Sequence, residues 1–284
     1  MMEMRITRRR AIKLLALSAI SLCLAEPTLI EPNVIVAGGL KVIDEVIPET
    51  FDGYRIVHIS DSHLKGMGFR EERSIELTKS YKPNLIVFTG DLIDDRKNRD
   101  LGIEYVEELS RIAPVILVYG NWDHWSGIDL RAFRDDLEAL GNVKVLINES
   151  ISIERGGETI SIIGVDDPFT LHDNLDRALL TINEGYFKVL LAHSPQIIGK
   201  ATSKVDLVLC GHTHGGQVVL PLLGPLYVPL PFKYRRYIAG VFNIGETVMY
   251  VNRGLGTSIL PIRLLCPPEI ALITLLHGPV SSRI

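Results

Sequence analysis

The sequence of 284 residues has few cysteines, no low-complexity tract and no long apolar run in its body. Three cysteines cannot build a disulfide scaffold, and we expect Cys210 and Cys266 to be buried thiols, although one bridge between them is possible. Beyond residue 25 no stretch reaches 18 consecutive apolar residues, so no further membrane-spanning helix is expected. Hydrophobic residues at 46% and charged residues at 23% exclude disordered and collagen-like chains.

A basic N-terminal end precedes an acidic body. The formal charge of −4 divides into +4 for residues 1–25 and −8 for residues 26–284. The segment Thr7–Lys13 contains paired arginines and a lysine. The apolar run that follows, Leu14 to Ala25, would form a helix only about 18 Å long, which is too short to cross the hydrocarbon core of a membrane. Residues 1–25 resemble a twin-arginine signal peptide, with an uncleaved membrane anchor as the alternative. We therefore expect export by the twin-arginine machinery to an extracytoplasmic, soluble or membrane-anchored location.

Short β-rich apolar runs alternate with segments of helical spacing from residue 54 onward, which predicts an α/β protein. After residue 216 the helical spacing stops, and short β-rich runs predict an antiparallel addition to the same core. These runs are Gln217–Leu220, Tyr237–Phe242, Thr247–Asn252 and Glu269–Leu275. No internal repeat or Gly/Ser linker divides residues 26–284, which we interpret as a single domain. The predicted strands before residue 216 are Arg55–Ser60, Asn84–Thr89, Val115–Tyr119, Val143–Ile147, Thr159–Val165, Lys188–Ala192 and Asp206–Cys210.

Polar side chains follow five of the predicted strands at the point where each strand ends. Because the carboxyl ends of the strands line one crevice in an open α/β sheet, these side chains are expected to meet. Oxygen and imidazole ligands suit a divalent ion such as Mn, Fe or Zn, and the absence of a cysteine pair argues against a structural zinc site. The strand-end residues are Asp61, His63, Asp91, Asn121, His193, His212 and His214.

These blocks resemble the motifs of the calcineurin-like metallophosphoesterases. The matching strings are D-x-H at Asp61, GD at Gly90, GN at Gly120, the single His193 and GHTH at Gly211, and they appear in the family's order. The tail strings GGQVVLPLLGPLYVP and RGLGTS are similar to an envelope-associated branch whose members often carry twin-arginine leaders.

The resemblance implies a four-layer α-β-β-α sandwich of two mixed sheets flanked by helices, with two divalent metal ions. By position, one metal would be held by Asp61, His63 and His214. The other would be held by Asn121, His193 and His212, with Asp91 bridging both. Such a pair of ions clamps a phosphoryl group and activates a water molecule for in-line attack.

The sequence departs from the family where a histidine usually follows the GN pair and contacts the phosphoryl group or protonates the leaving group. Trp122 occupies that position, and an indole cannot transfer a proton. Either His124, two positions later, replaces that acid, or protonation of the leaving group is dispensable. Trp122 and Trp125 could also form a platform that binds the substrate.

Four other polar residues lie outside these blocks. We expect His58 to be a core group or an outer-sphere neighbour of the site, and His172 to be a solvated loop residue. Asp166 and Asp167 could lie near the crevice or simply form a turn before Pro168.

The segment 218–236 contains four prolines and ends in Lys233, Arg235 and Arg236. Prolines at this density exclude a helix or a central strand. Such an extended apolar loop would either contact lipid chains and anionic headgroups or fold over the second sheet.

These features predict a metal-dependent hydrolase of phosphodiester or pyrophosphate bonds, acting on a small phosphate ester or a lipid-linked envelope molecule. The alternatives are a protein or nucleotide phosphatase with the same site and a non-catalytic metal-binding scaffold. The acidic body argues against nucleic acid as a partner.

Overall fold

Two six-stranded sheets and one two-stranded ribbon are present in residues 8–279, the part of the chain that the computed structural model describes. The strands are β1 Val36–Asp44, β2 Tyr54–Ile59, β3 Leu85–Thr89, β4 Val115–Val118, β5 Val143–Val145, β6 Glu149–Arg155, β7 Glu158–Gly164, β8 Phe187–Leu191, β9 Leu207–Cys210, β10 Val219–Leu220, β11 Gly224–Pro225, β12 Gly240–Ile244, β13 Thr247–Val251 and β14 Glu269–His277. The helices are α1 Arg8–Ala25, α2 Phe69–Ser80, α3 Arg99–Ser110, α4 Asn121–Trp125, α5 Leu130–Glu138, α6 Leu175–Leu179 and α7 Ile198–Ala201.

Both large sheets are mixed. The first has the order β1-β14-β2-β3-β4-β5, in which β14 and β2 are antiparallel and the other neighbours are parallel. The second has the order β12-β13-β9-β8-β7-β6, in which β13, β9, β8 and β7 run parallel and each edge strand is antiparallel to its neighbour. The carboxyl ends of β2, β3 and β4 in one sheet, and of β8 and β9 in the other, carry the site.

The buried side chains form three apolar clusters that separate four layers. The central cluster joins the facing sides of the sheets, for example Val87 of β3 and Val189 of β8. A second cluster packs α3 and α5 on the outer face of the first sheet, and a third packs α6 and α7 on the second. Strands such as β4 are apolar throughout because both of their faces are buried. The four-layer sandwich predicted from the resemblance is confirmed.

Each predicted strand before residue 216 is present, with shifts of one or two residues at its ends, but two further strands were missed. β1 contains the pair Gly38 and Gly39, and glycine is depleted in strands. β6 is an edge strand of alternating polar residues, which gives a weak apolar signal. In the tail, the predicted run 217–220 shrinks to β10, and the run predicted from residue 237 begins at Gly240 as β12.

Residues 1–7, where the predicted leader begins, lie outside the described residues. Arg8–Ala25 form α1, and a π-helical turn, Glu26–Ile30, continues it. Within residues 8–279 no helix has both the length and the apolarity to cross a bilayer. Cys210 and Cys266 are buried free thiols, as expected.

Candidate metal centre and its cavity

All seven predicted ligand residues lie together in the crevice where the two sheets' carboxyl ends meet. Each is buried, with at most 5% of its surface exposed. The first sheet contributes the residues that follow β2, β3 and β4, and the second contributes those that follow β8 and β9. Ligands 153 positions apart in the chain are neighbours because both sheets end at the same crevice.

One group of ligand atoms comes from Asp61, His63, Asp91 and His214, all within 4.8 Å of one another. The Nε2 atoms of His63 and His214 are 3.0 Å apart. His63 Nε2 lies 3.6 Å from Asp91 Oδ2, and His214 Nε2 lies 3.5 Å from Asp61 Oδ1. The group therefore presents two imidazoles and two carboxylates to one point.

A second group comes from Asp91, His193 and His212, also within 4.8 Å. His193 Nε2 is 3.1 Å from Asp91 Oδ2, 3.1 Å from His212 Nδ1 and 3.1 Å from Asn121 Oδ1. Asn121 thus joins this group as an amide oxygen. Asp91 belongs to both groups, so the two sets of ligand atoms share one carboxylate.

Hydrogen bonds outside the crevice fix the orientation of two imidazoles. His193 Nδ1 lies 2.8 Å from the carbonyl oxygen of Thr89, which leaves Nε2 free to face the ligand group. His212 Nε2 lies 2.9 Å from the carbonyl oxygen of Pro229, so Nδ1 faces the group. Bonds of this kind set the tautomer and orientation of a ligating histidine.

Five of the seven residues have left-handed backbone conformations, which are uncommon for residues other than glycine. Their φ angles lie between 43° and 71°. Strained backbone of this kind clusters at functional sites, where the surrounding structure holds it in place. The residues are Asp61, His63, Asp91, His212 and His214.

The glycines of the GD and GN pairs serve different purposes. Gly90 has a φ of 88°, which a side chain would oppose. Gly120 has an ordinary φ of −112°, and a Cβ atom there would overlap Oδ1 of Asp91. At Gly120 the requirement is therefore space for the Asp91 carboxylate and not a left-handed backbone.

Asp123 positions the shared carboxylate, a role that the sequence analysis missed. Its buried side chain accepts hydrogen bonds from the backbone N–H groups of Asp91 at 2.8 Å and Gly120 at 2.9 Å. The N–H of Trp122 donates to Asp91 Oδ1 at 2.8 Å. Asp123 therefore ties the loop after β3 to the start of α4. The available signal was an acid two positions after Asn121.

Arg263 is a second residue that sequence reasoning did not find. Its side chain is fully buried and donates to the carbonyl oxygens of Gly256 and Gly254. Its Nη2 lies 3.5 Å from His214 Nδ1. Gly254 and Gly256 pack directly against Asp61 and its neighbour, so Arg263 holds together the loop that backs this part of the crevice. An isolated arginine in an apolar run carries no sequence signal for such a role.

Burial is the largest influence on the pKa values of the two ligand carboxyl groups. The pKa of Asp91 is raised to about 7, first because the carboxyl is buried and then because Asp61 and Asp123 lie close, although His193 acts in the opposite direction. Burial also raises the pKa of Asp61. At both carboxyl groups burial outweighs the effect of His193, so a cation among them would stabilise their charged forms.

Burial also acts on the imidazoles. It lowers the pKa of His63 and His214 well below the usual value and that of His212 to about 3. At His193 burial lowers the pKa too, but nearby carboxylates, led by Asp91, outweigh burial and raise it well above the usual value. Neutral imidazole is the form that binds a metal ion.

The donor set fits a divalent metal ion. Burial lowers the pKa of His63 and His214 and so favours neutral imidazoles, whose Nε2 atoms face each other across 3.0 Å and each offer a lone pair when the proton is on Nδ1. A cation between them would accept those lone pairs and offset the buried charge of Asp61 and Asp91. The residues that would hold it are the seven strand-end ligands.

A cavity of about 450 Å³ opens above these residues. Its floor includes Asp91, Asn121, His212 and His214. Its walls are mainly apolar, with one wall from Trp122, Trp125 and Phe169 and the other from Val218, Leu226, Tyr227, Pro229, Ile259 and Leu260. A polar floor beneath apolar walls can hold a charged group at the ligands while an apolar group packs against the walls.

Comparison with known proteins identifies the family of this chain. The calcineurin-like phosphoesterase family model matches residues 54–216, from β2 through the GHTH string. The chain belongs to the calcineurin-like phosphoesterases. The metallophosphoesterase YkuE of Bacillus subtilis is 35% identical over 254 residues, and the alignment covers 87% of each chain. The phosphodiesterase YaeI of Escherichia coli is 31% identical over 212 residues, which cover 71% of this chain and 74% of YaeI. The prediction of a phosphoesterase is confirmed.

Among solved structures, the Thermus thermophilus protein TT1561 is 14% identical to this phosphoesterase, with a TM-score of 0.49. The alignment covers 72% of this chain and 90% of that one.

Trp122, which holds the place of the family's histidine, and Trp125 both line the cavity of this phosphoesterase. The Trp122 ring lies edge-on to the rings of His63 and Trp125, with centroids 5.9 Å and 5.6 Å apart. Trp125 in turn meets Phe169 at 6.2 Å, and 56% of its surface is exposed. The aromatic wall therefore runs from a ligand residue to the mouth of the cavity. A substrate-binding role for both rings stays a prediction.

His124 lies outside the cavity lining. Its Nε2 is 2.7 Å from Asp166 Oδ1, and its ring stacks on His172 at 4.3 Å. Burial lowers its pKa, but Asp166 outweighs burial and raises it. Asp166 thus does more than form a turn, whereas Asp167 caps the turn by accepting from the N–H groups of Phe169 and Thr170. His172 is exposed, as predicted, although it stacks on His124.

His58 is buried in β2, and its Nε2 lies 2.8 Å from Thr89 Oγ1. The carbonyl oxygen of Thr89 in turn lies against His193, so His58 is an outer neighbour of the centre.

The proline-containing segment divides into two parts. Tyr234 and Tyr237 pack on the outer apolar cluster of the second sheet, and Leu230 is buried. Leu222 and Leu223 lie on the surface instead. The later part is therefore anchored over the second sheet through its tyrosines, although Phe232 stays exposed, and the earlier part is exposed beside the cavity.

Proposed function

We propose that this phosphoesterase uses two divalent ions, Mn, Fe or Zn, to hydrolyse phosphodiester or pyrophosphate bonds in a lipid-linked or otherwise amphiphilic substrate of the cell envelope. The observation that supports it is the polar ligand floor beneath apolar walls in one cavity. The phosphoryl group would lie at the floor and the apolar part of the substrate along the tryptophan wall.

The proposal of two ions depends on Asp91. Its carboxylate belongs to both ligand groups, which is the arrangement expected of a residue that bridges two metals. When bound, two such ions clamp the phosphoryl group, lower the pKa of water and stabilise charge in an in-line displacement. The chain itself supplies the geometry, because Asp123 and the Trp122 N–H hold the Asp91 carboxylate in place.

The leaving group would depart without a proton from His124. That imidazole is engaged by Asp166, and Trp122, which lines the cavity, cannot transfer a proton. Of the two possibilities left open by the sequence, dispensable protonation therefore has the better support. A phosphate leaving group, with a second pKa of about 6, needs no acid at neutral pH. This favours pyrophosphates and activated diesters as substrates.

The proposed location is outside the cytoplasmic membrane, after export by the twin-arginine machinery. Its support is the order of residues from Thr7 to Lys13 and the apolar run after them. The double variant Arg8→Lys, Arg9→Lys retains the charge and removes the arginine pair. We expect it to stay in the cytoplasmic fraction; export at the level of the unchanged chain would contradict the leader.

A comparison of substrate classes tests the function. The purified chain loaded with Mn is given lipid pyrophosphates, an aryl phosphodiester, nucleotides and phosphopeptides under one set of conditions. We expect the highest kcat/KM with the lipid pyrophosphates. A clear preference for nucleotides or phosphopeptides would establish the alternative phosphatase, and no turnover of any class would indicate a binding scaffold.

A further inference from the structure

Exposed apolar side chains are concentrated at the mouth of the cavity. Residues 222–232 and 259–265, here called the apolar rim, contribute eight of the seventeen large apolar side chains that are exposed among those the structure describes. Leu222 is fully exposed, Phe232 is 88% exposed and Ile259 is 77% exposed. Apolar surface concentrated in this way marks a site that meets a membrane or another protein.

Hydrogen bonds join the two parts of the rim into one surface. The backbone N–H of Val219 donates to the carbonyl oxygen of Leu264 at 2.9 Å. The Gln217 side chain donates to the carbonyl oxygens of Ser258 and Leu260 and accepts from the N–H of Ser258. These bonds, made by residues just before the first part of the rim, hold the second part beside it, and eight large apolar side chains of the rim remain exposed.

The rim also adjoins the segment that follows α1. The buried Glu31 carboxylate accepts hydrogen bonds from the N–H groups of Leu265 and Cys266. The N–H of Arg263 donates to the carbonyl oxygen of Pro27 at 2.9 Å. Leu29, between these two anchor points, is 70% exposed. The basic, apolar helix that begins at Arg8 thus joins the body beside the mouth of the cavity.

The net charge of the part of the chain that contains the rim is opposite in sign to that of the rest of the body. Residues 207–268, which include the whole rim, carry a net +4, with Glu246 as the only acid, whereas residues 26–206 carry −12. Glu246 lies in the turn between β12 and β13. Because β13 runs parallel to β9, that turn is at the opposite end of the sheet from the metal centre. Lys233, Arg235 and Arg236 are exposed next to the rim.

We infer that the apolar rim docks on the surface of an anionic phospholipid bilayer, with its exposed leucines and Phe232 among the acyl chains and Lys233, Arg235 and Arg236 at the headgroups. The mouth of the cavity then opens onto the membrane. An apolar face combined with basic residues is the composition that such a surface binds. Docking goes beyond the proposed function because it requires neither metal nor hydrolysis.

The only two tryptophans of the chain, Trp122 and Trp125, both line the cavity, so intrinsic fluorescence reports directly on its mouth. The full chain is mixed, in the presence of chelator, with vesicles of phosphatidylglycerol and phosphatidylcholine that carry bromine on the acyl chains. Sedimentation measures binding to the vesicles, and quenching by bromine measures how close the mouth lies to the bilayer. We expect the unchanged chain to sediment with the vesicles and to be quenched.

The variant Leu222→Asn, Leu223→Asn, Phe232→Ser should lose most of the quenching, even where α1 keeps the chain on the vesicles. The matched control Val46→Asn changes an exposed apolar residue beyond the end of β1, at the opposite end of the first sheet. It should be quenched like the unchanged chain. Replacing Lys233, Arg235 and Arg236 with glutamine should weaken binding to phosphatidylglycerol vesicles more than to phosphatidylcholine vesicles.

Three results would overturn the inference: no sedimentation of the unchanged chain, sedimentation without quenching, or equal quenching in the rim variant. Rim-dependent dimers in solution without lipid would overturn it in favour of a second copy of the chain. Hydrolysis of a soluble aryl diester is measured separately. A chain that hydrolyses the diester but is not quenched contradicts docking alone, and one that is quenched but inactive contradicts the proposed function alone.

Discussion

The metal centre and the apolar rim lie at the same end of the molecule, but they are built in opposite ways. The ligands are buried, follow regular strands and are held by hydrogen bonds to neighbouring backbone. Regular strand within the rim is limited to the two-residue β11, and eight large apolar side chains of the rim are exposed. The comparison indicates that the sheets position the ligand residues, whereas irregular segments between β9 and β12 and between β13 and β14 form much of the mouth of the cavity.

The largest effect is expected from Asp91→Asn, which alters the metal centre and leaves the apolar rim unchanged. Asparagine keeps an oxygen for the Trp122 N–H but removes the negative charge that both ligand groups share. We expect kcat on an aryl phosphodiester to fall by more than about 100-fold, the range that outer partners of metal ligands reach, while the circular dichroism spectrum is unchanged. Asp100→Asn, which alters an exposed carboxylate on α3, should retain full activity. Near-normal turnover in Asp91→Asn would contradict a shared, charged ligand.

The next largest effect is the pH dependence of the stabilisation that bound metal gives to the folded protein. The folded-state pKa of Asp91, about 7, exceeds its usual value, so its contribution to the stability of the metal-free protein is lost as pH rises through about 7. Metal binding requires the ionised carboxylate and offsets that loss. The gain in Tm on adding Mn should therefore be larger at pH 8 than at pH 6, measured by calorimetry. A gain that is independent of pH would show that no ligand proton is displaced in this range.

A smaller change should affect the cavity wall alone. Trp125→Ala removes apolar surface from the mouth without touching a ligand residue. We expect KM for an aryl diester with a long alkyl chain to rise about 10-fold, equivalent to about 1.4 kcal/mol, with kcat unchanged. The methyl ester with the same leaving group serves as the control and should keep its KM. A fall in kcat for both esters would show that Trp125 contributes to the chemical step, and would contradict the separation between the metal centre and the apolar wall.

The smallest effect is expected at His124. Because its imidazole faces Asp166 and lies outside the cavity lining, His124→Ala should change kcat by no more than about 3-fold, and equally for an alkyl diester and a pyrophosphate. A loss confined to the alkyl diester would identify His124 as the acid that protonates poor leaving groups.

The same contrast explains how much could be predicted from the sequence. The ligand residues were found because each follows an apolar strand, and parallel strands bring their carboxyl ends together. Arg263 and the contact between Glu31 and Cys266 gave no such signal, since they join loops far apart in the chain. The edge strands β1 and β6 were missed because glycine pairs and alternating polar residues weaken the apolar pattern.

Metal titration of the purified chain tests the central claim most directly. After removal of metal, Mn is added in steps while bound metal is counted by elemental analysis and phosphodiesterase activity is measured in the same samples. We expect activity to appear as occupancy approaches two ions per chain and Asp91→Asn to bind fewer. Full activity at zero or one ion per chain would contradict a centre built on a shared Asp91.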